Sequence, residues 1–394
     1  MATYPQYAPD FRIQINDQDM PGQVRTAVTS LRYEDGRDAA DRVEISIANP
    51  NLQLLKNHIR GLGFHPFPSG LSLGPVRVGD VAPTGTFDID NRLTLLVGYA
   101  PSPLEKMFAG EITGVTVNFP NGGMPAMTVV AHDYLNRLQR GKYARGFGFL
   151  PDALIAAILG AENLLLPAID PTIIAGSTAI AAVNFVFGGS GRKQRGQSDF
   201  ELLQEIAATY DADFWVDGSV LYLSRFLKDY TPRMTFTWGQ NLLEFSPKVS
   251  TIGQVAGVAM RFVLREIPLD FLVAVGYDFD RESIVISVVP GAAAASTRSL
   301  LGSLLEIIDQ PIGSPADITN SALVIAHELR EKLNNRLTGT GSCVGDPRVR
   351  AGAMIRIAGI GPDFSGDYRV VSATHSIDGS GYRTNFEVRK EIIP

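Results

Sequence analysis

The sequence predicts an α+β chain rich in β structure, in which two similar antiparallel β units flank a small α+β domain. Three observations carry this. Both ends alternate apolar and polar residues as half-buried strands do, while the middle switches to the period of about 3.6 that marks amphipathic helices. The 39 glycines and 24 prolines supply turns in numbers that a helical bundle does not need. The order of strands and glycine turns near the start recurs near the end. At 394 residues the chain has the length of two or three domains, and the pattern divides it at 1–144, 145–232 and 233–394.

The first part reads as strand and turn. FRIQI (residues 11–15) alternates, Asn16 and Asp17 offer a turn, and RVEISIA (42–48) alternates again before Asn49 and Pro50 stop it. Residues 61–87 are rich in Gly, Pro and Ser and read as a long loop. RLTLLV (92–97) resumes as a strand, and residues 110–119 with 126–131 form a hairpin across Asn121, Gly122 and Gly123.

Helices follow. Asp133 caps residues 134–140, with Gly141 as the stop, and residues 151–159 begin with Pro and end before Gly160. The clearest helix covers 198–210, where Ser198 and Glu201 make a capping box and Phe200, Leu203, Ile206, Ala207 and Tyr210 share a face. FWV (214–216) and VLYL (220–223) then flank Asp217 and Gly218, a pair suited to a tight hairpin turn.

Strands return after residue 232, at 234–238, 257–264 and 284–289. An inserted segment at about 290–318 holds an Ala-rich run and a Gly/Pro cluster that bracket a helix. A second, amphipathic helix at about 321–337 lines up Leu323, Ala326, Leu329, Leu333 and Leu337.

The repeated order is the most informative pattern. LLVG ends at Gly98 and is followed by FAG ending at Gly110; IRIAG ends at Gly359 and is followed by FSG ending at Gly366. A glycine-rich turn then comes in each copy, Gly122 and Gly123 in the first, Gly379 and Gly381 in the second, and a further strand follows. These eight glycines are the expected structural turns of a repeated unit. The pattern alone fits either a true duplication or two unrelated hairpins. If the unit is duplicated, three copies around a threefold axis present six similar bodies, an approximate sixfold ring.

Composition narrows the function. A net charge of -6 argues against nucleic-acid specificity, because phosphate contacts need clustered Lys and Arg. One cysteine, Cys343, leaves no internal disulfide and no zinc cluster. No secretory signal is visible, and the most apolar region, 150–187, is interrupted too often to cross a bilayer, so no membrane segment is expected.

FSGDYRVVSATHSIDGSGYRTNFEVRK (364–390), with GDPRVRAGAMIRIAGIG (345–361) before it, resembles the C-terminal signature of phage late control gene D proteins, the tail or baseplate hub proteins of contractile phages, pyocin-like particles and extracellular contractile injection systems. Residues 95–147 look like that family's first barrel and its exit, and 197–225 like its middle helix and hairpin. The resemblance covers most of the chain apart from 61–90 and 285–318. It implies a homotrimer in which two tube-protein-like antiparallel β-barrels per chain make a pseudo-sixfold ring. One side of that ring would meet the hexameric inner tube or a tube initiator and the other a trimeric spike, with baseplate wedge proteins as neighbours. The chain stops at Pro394, so the spike is expected to be a separate protein. Assembly in the bacterial cytoplasm, without a signal peptide, follows from the same reading.

Residues with chemical potential were weighed against plainer roles. Ser365, His375 and Asp378 include the residue types of a hydrolytic triad, yet Ser365 does not lie in a G-x-S-x-G elbow, and the segment reads as two strands around a turn. Asp278, Asp280 and Glu282 put three carboxylates on one strand face without a calcium-loop pattern around them, and Asp88 and Asp90 lack the required glycine. GGSGRKQRG (188–196) does not fit a phosphate loop and reads as a flexible surface loop, with Arg192, Lys193 and Arg195 free to meet an acidic neighbour. His327 with Glu328 lacks the second histidine of a zinc protease, and His58, His65 and His132 show no ligand spacing. The expectation is therefore no catalytic residue, no metal and no cofactor. The competing readings are a cell-wall (peptidoglycan) hydrolase carried on a baseplate and another tail tube or completion protein.

Overall fold

The computed structural model describes residues 8–37, 39–48, 86–186, 191–210, 212–224, 231–249, 257–264, 269–278, 283–290, 305–308 and 334–391. The chain packs as two compact units. The first comprises Met1–Tyr134, Ser342–Arg350 and Ser372–Phe386; the second comprises Leu135–Gly341, Ala351–Val371 and Glu387–Pro394. This differs from the three-part division at 144 and 232, because residues near the C-terminus are drawn into the first unit by strand pairing.

In the first unit β1 (Ala8–Ile15) and the short β2 (Gln18–Asp19) flank a turn in which Asn16 and Asp17 both hold positive φ, 50° and 65°. The turn foreseen at this pair is therefore present. A one-turn helix, α1 (Gly22–Thr26), leads to β3 (Val28–Gly36) and β4 (Arg42–Ala48). After residue 85 come β5 (Arg92–Ala100), β6 (Glu105–Asn118) and β7 (Ala126–Asp133), an antiparallel meander. The strand order is β3-β4-β7-β6-β5-β1-β2, antiparallel throughout. In β4 the alternation is complete: Val43, Ile45 and Ile47 are fully buried beside Leu95, Ile112 and Val129, while their neighbours in β4 are half-buried. Of the expected loop at 61–87, residues 61–85 lie outside the described residues.

The second unit opens with α2 (Leu135–Gln139) and β8 (Tyr143–Gly148), then α3 (Asp152–Glu162), β9 (Leu166–Ile169) and α4 (Pro171–Val186). β10 (Arg192–Gln197), α5 (Asp199–Thr209), β11 (Asp213–Asp217) and β12 (Val220–Ser224) follow. The capping box is formed as the sequence predicts: the Glu201 amide donates to Ser198 Oγ at 3.2 Å, and the Ser198 amide donates to Glu201 Oε2 at 2.7 Å. β11 and β12 make the expected hairpin, with Gly218 at φ 56°. One expectation fails here. Of the run 188–196 read as a flexible surface loop, residues 192–196 belong to a strand paired with β8, in which Lys193 and Arg195 are exposed and Gln194 between them is buried.

β13 (Met234–Thr237) and β14 (Leu242–Val249) precede a four-stranded sheet of β15 (Gly257–Leu264), β16 (Leu269–Asp278), β17 (Ser283–Pro290) and β18 (Leu305–Ile308). Its order is β17-β16-β15-β18, with β18 parallel to β15. The inserted segment thus contributes a strand; the helix expected within it lies outside the described residues. So do residues 321–333 of the amphipathic helix, and Leu337 opens a strand instead of closing that helix.

The chain ends with β19 (Leu337–Val344), β20 (Met354–Ala358), β21 (Gly366–Asp378) and β22 (Gly381–Arg389). β20 and the start of β21 are antiparallel within the second unit, where β13 lies parallel to β20 and the order β14-β19-β22-β21 completes the sheet. The last seven residues of β21 pair antiparallel with β3 in the first unit, Ser372 opposite Gly36 and Asp378 opposite Ser30. Also in the first unit, Tyr99 of β5 donates its hydroxyl to the Gly345 carbonyl at 2.8 Å and packs its ring 5.8 Å from Tyr382 of β22.

Candidate functional site

The eight glycines of the repeated order divide into two kinds. Gly98 and Gly110 lie inside β5 and β6, not in turns. A Cβ on Gly110 would sit 2.1 Å from the His132 carbonyl oxygen, so here glycine permits close approach of two strands. Gly122 and Gly123 occupy the β6–β7 connection, Gly359 follows β20 at φ 82°, Gly366 opens β21, Gly379 lies between β21 and β22, and Gly381 opens β22. The registers also differ, since Gly110 faces Leu93 while Gly366 faces Ile357. The glycine motifs therefore do not mark matching points in the two meanders. What the meanders share is strand order, each with a long middle strand, 14 residues in β6 and 13 in β21.

His375 and its neighbours form the most connected polar cluster of the first unit. β21 carries the imidazole inward, where it is fully buried and stacked on Tyr33 of β3 at 5.7 Å. Its Nε2 lies 2.9 Å from the Val349 carbonyl, an acceptor only, so Nε2 holds the proton and donates. Nδ1 is then an acceptor whose single lone pair faces the hydroxyls of Tyr382 and Thr384, at 2.8 and 3.0 Å. Burial disfavours the imidazolium and lowers the pKa of His375 to about 4. Both ring nitrogens are hydrogen-bonded within the first unit.

A second set adjoins it. Arg350 donates to Asp35 and to the Tyr33 hydroxyl at 2.5 and 2.7 Å, and Tyr33 donates to Asp41 at 2.7 Å. The Arg350 guanidinium also lies 5.2 Å above the Tyr33 ring. Burial and the nearby Asp35 carboxylate raise the pKa of Asp41 to about 7, and burial pushes the Tyr33 phenol well above its ordinary range. The arrangement clamps the segment Ser342–Arg350 onto β3, β21 and β22. GDPRVR is part of the string that carries the family resemblance, but nothing local gives Arg350 a role. Its partners Tyr33, Asp35 and Asp41 lie some three hundred residues away in sequence, and no local pattern marks them.

The other candidates do not converge on chemistry. Asp378 caps the β21–β22 turn, accepting from the Ser380 amide at 2.7 Å, and Ser365 Oγ accepts from the Ile360 amide at 3.4 Å. Asp278 ends β16, while Asp280 and Glu282 lie outside the described residues, as do His58, His65 and His327. His132 Nδ1 is 2.7 Å from Thr113 Oγ1. Among the described residues no group of three His, Cys, Asp or Glu is arranged to hold a metal ion, and no helix is long and apolar enough to cross a membrane. In the second unit a cavity of about 410 Å³ is bordered by Arg192, Lys193 and Arg195. Arg192 is tied to Asp152 at 2.9 and 2.5 Å, and Lys193 and Arg195 are exposed.

No family model and no curated protein matches the chain. Solved structures do. The 43 kDa tail protein of prophage MuSo2 from Shewanella oneidensis aligns with a TM-score of 0.61 at 10% identity over 97% of this chain and 98% of that one. The tail protein from Neisseria meningitidis MC58 gives 0.59 at 10% identity over 98% and 97%. The E. coli c3393 protein, described as a component of the type VI secretion system with structural similarity to the T4 bacteriophage tail proteins gp27 and gp5, gives 0.51 at 11% identity over 97% and 80%. At these identities the likeness is one of fold. The β-rich α+β fold is that of phage tail proteins, in agreement with the resemblance seen in the sequence.

Proposed function

We propose that the chain is the structural hub of a contractile tail or injection system, a homotrimer joining a trimeric spike to a hexameric inner tube. The observation that carries this is the paired strand order. β4-β7-β6-β5-β1 in the first unit is matched by β19-β22-β21-β20-β13. In each, a three-strand meander with a long middle strand is flanked on one side by an earlier strand and on the other by a strand from further upstream. The match is topological: β1 runs antiparallel to β5, while β13 runs parallel to β20.

On this reading each order is the wall of one β-barrel, and Tyr99 against Tyr382 helps close the first. Three chains then offer six similar walls to a sixfold tube while keeping a true threefold axis for the spike. The tail-protein fold supports the reading, as does the structural similarity of the E. coli protein to the T4 tail proteins gp27 and gp5. The work of such a hub is mechanical: force passes through buried interfaces and no bond is made or broken.

Light scattering on the purified protein tests it. The hub predicts a particle of three times 42.6 kDa. A stable monomer that clears peptidoglycan would replace it with the hydrolase reading.

A further inference from the structure

The long middle strand of each meander has two hydrogen-bonding edges. In β21 one edge carries β22; the other pairs with β20 over residues 366–369 and with β3 over residues 372–378. In β6 one edge carries β7, and the other pairs with β5 over residues 105–111. Past residue 112 that second edge meets no strand among the described residues. β3 neighbours β4 in the first order as β14 neighbours β19 in the second, which makes β14 the counterpart of β3. β14 ends its order, and its outer edge also meets no strand among the described residues. One of two matching joints is therefore filled inside the chain, while both halves of the other meet no strand among the described residues.

We infer that β14 of one copy pairs antiparallel with residues 113–118 of β6 in a second copy, repeating between chains the joint that β3 makes with β21. The inference rests on the hub reading and names the strands that hold the trimer together. Two features of the edges support it. Residues 113–118, TGVTVN, are uncharged, contain no proline and are rich in β-branched side chains, with Val115 and Val117 half-buried. Lysine and proline blunt an edge that would otherwise recruit other chains; residues 113–118 carry neither, and β14 carries them only at its far end, Pro247 and Lys248. Just past residues 113–118, Phe119 is 62% exposed, and on β14 Leu243 and Val249 are 49% and 55% exposed.

β14 sets the register. Pro247 has no amide proton to give and Leu242 is bridged to Trp238, so the ladder runs over residues 243–246. Thr116 and Asn118 are exposed on β6, as are Glu244 and Ser246 on β14, so these side chains share the outer face of the joined sheet. Each copy gives one strand and receives one, a head-to-tail contact that closes after three copies.

Cysteine pairs test this. The natural Cys343 is fully buried and does not compete. Three double variants cover the same-face registers that overlap over at least three residue pairs: Thr116→Cys with Ser246→Cys, Thr116→Cys with Glu244→Cys, and Gly114→Cys with Glu244→Cys, the last at a position where an added Cβ meets nothing within 4 Å. Each is oxidised at low protein concentration and run on a non-reducing gel beside its single variants, with the mass in solution measured by light scattering. The expected result is a covalent trimer from at least one pair and none from any single variant. A threefold mass without crosslinking in all three pairs overturns this interface and leaves the hub trimer standing. A ladder running past three copies overturns the closed ring, and a monomer in solution overturns the hub reading and this joint together.

Discussion

The imidazole of His375 is neutral in the fold, and that has a measurable consequence. Its pKa falls from 6.5 to about 4, so between those values the unfolded chain holds a proton that the folded chain does not, and this residue makes stability rise with pH. Asp41 acts in the opposite sense. Its pKa rises from 3.8 to about 7, so the folded chain keeps a proton that the unfolded chain has lost, and stability falls with pH over that window. The two slopes oppose each other in the wild type. Asp41→Asn should unmask the His375 slope, a gain of about 3 kcal/mol from pH 4 to 6.5, and His375→Gln should unmask a fall. Denaturant unfolding across that range reads both; two variants with the wild-type profile would contradict the assignments. Asp35→Ala, which leaves Arg350 only the Tyr33 hydroxyl and the more distant Asp41, should cost about 2 kcal/mol in the same assay. Gly110→Ala should cost about as much, because the added carbon meets the His132 carbonyl. At this scale the sequence was silent on the clamp: Tyr33, Asp35 and Asp41 acquire meaning only when β3 meets the C-terminal strands.

Elements were more legible where local signals were strong. α5 has both halves of its capping box, and the β11–β12 hairpin has Asp217 and Gly218 in its turn; both form as the sequence predicts. Replacing Ser198 with Ala should lower stability by about 1 kcal/mol, measured by thermal unfolding, since the Glu201 amide would lose its acceptor. β10 was misread because glycines and charges suggest a loop, whereas its strand character comes from pairing with β8 and from the burial of Gln194. α4 was missed for the opposite reason. Its sixteen residues carry no charge, so there is no polar face against which a helical period would show. The glycine motifs misled in a third way, since similar strings fall at different registers in β5–β6 and β20–β21.

For the whole molecule, the sequence disclosed two β-rich ends and a mixed middle, but not that the C-terminal strands split between units. β21 is one continuous strand whose start pairs with β20 and whose end pairs with β3, a partnership between residues more than three hundred positions apart that no periodicity encodes. The hub reading turns on how the two meanders are used in an assembly. Its most direct test is electron microscopy of the purified particle viewed down its symmetry axis. The account predicts a closed ring of three copies showing six lobes of similar size, alternating in kind. Isolated single copies, or a ring whose copy number is not three, would contradict it.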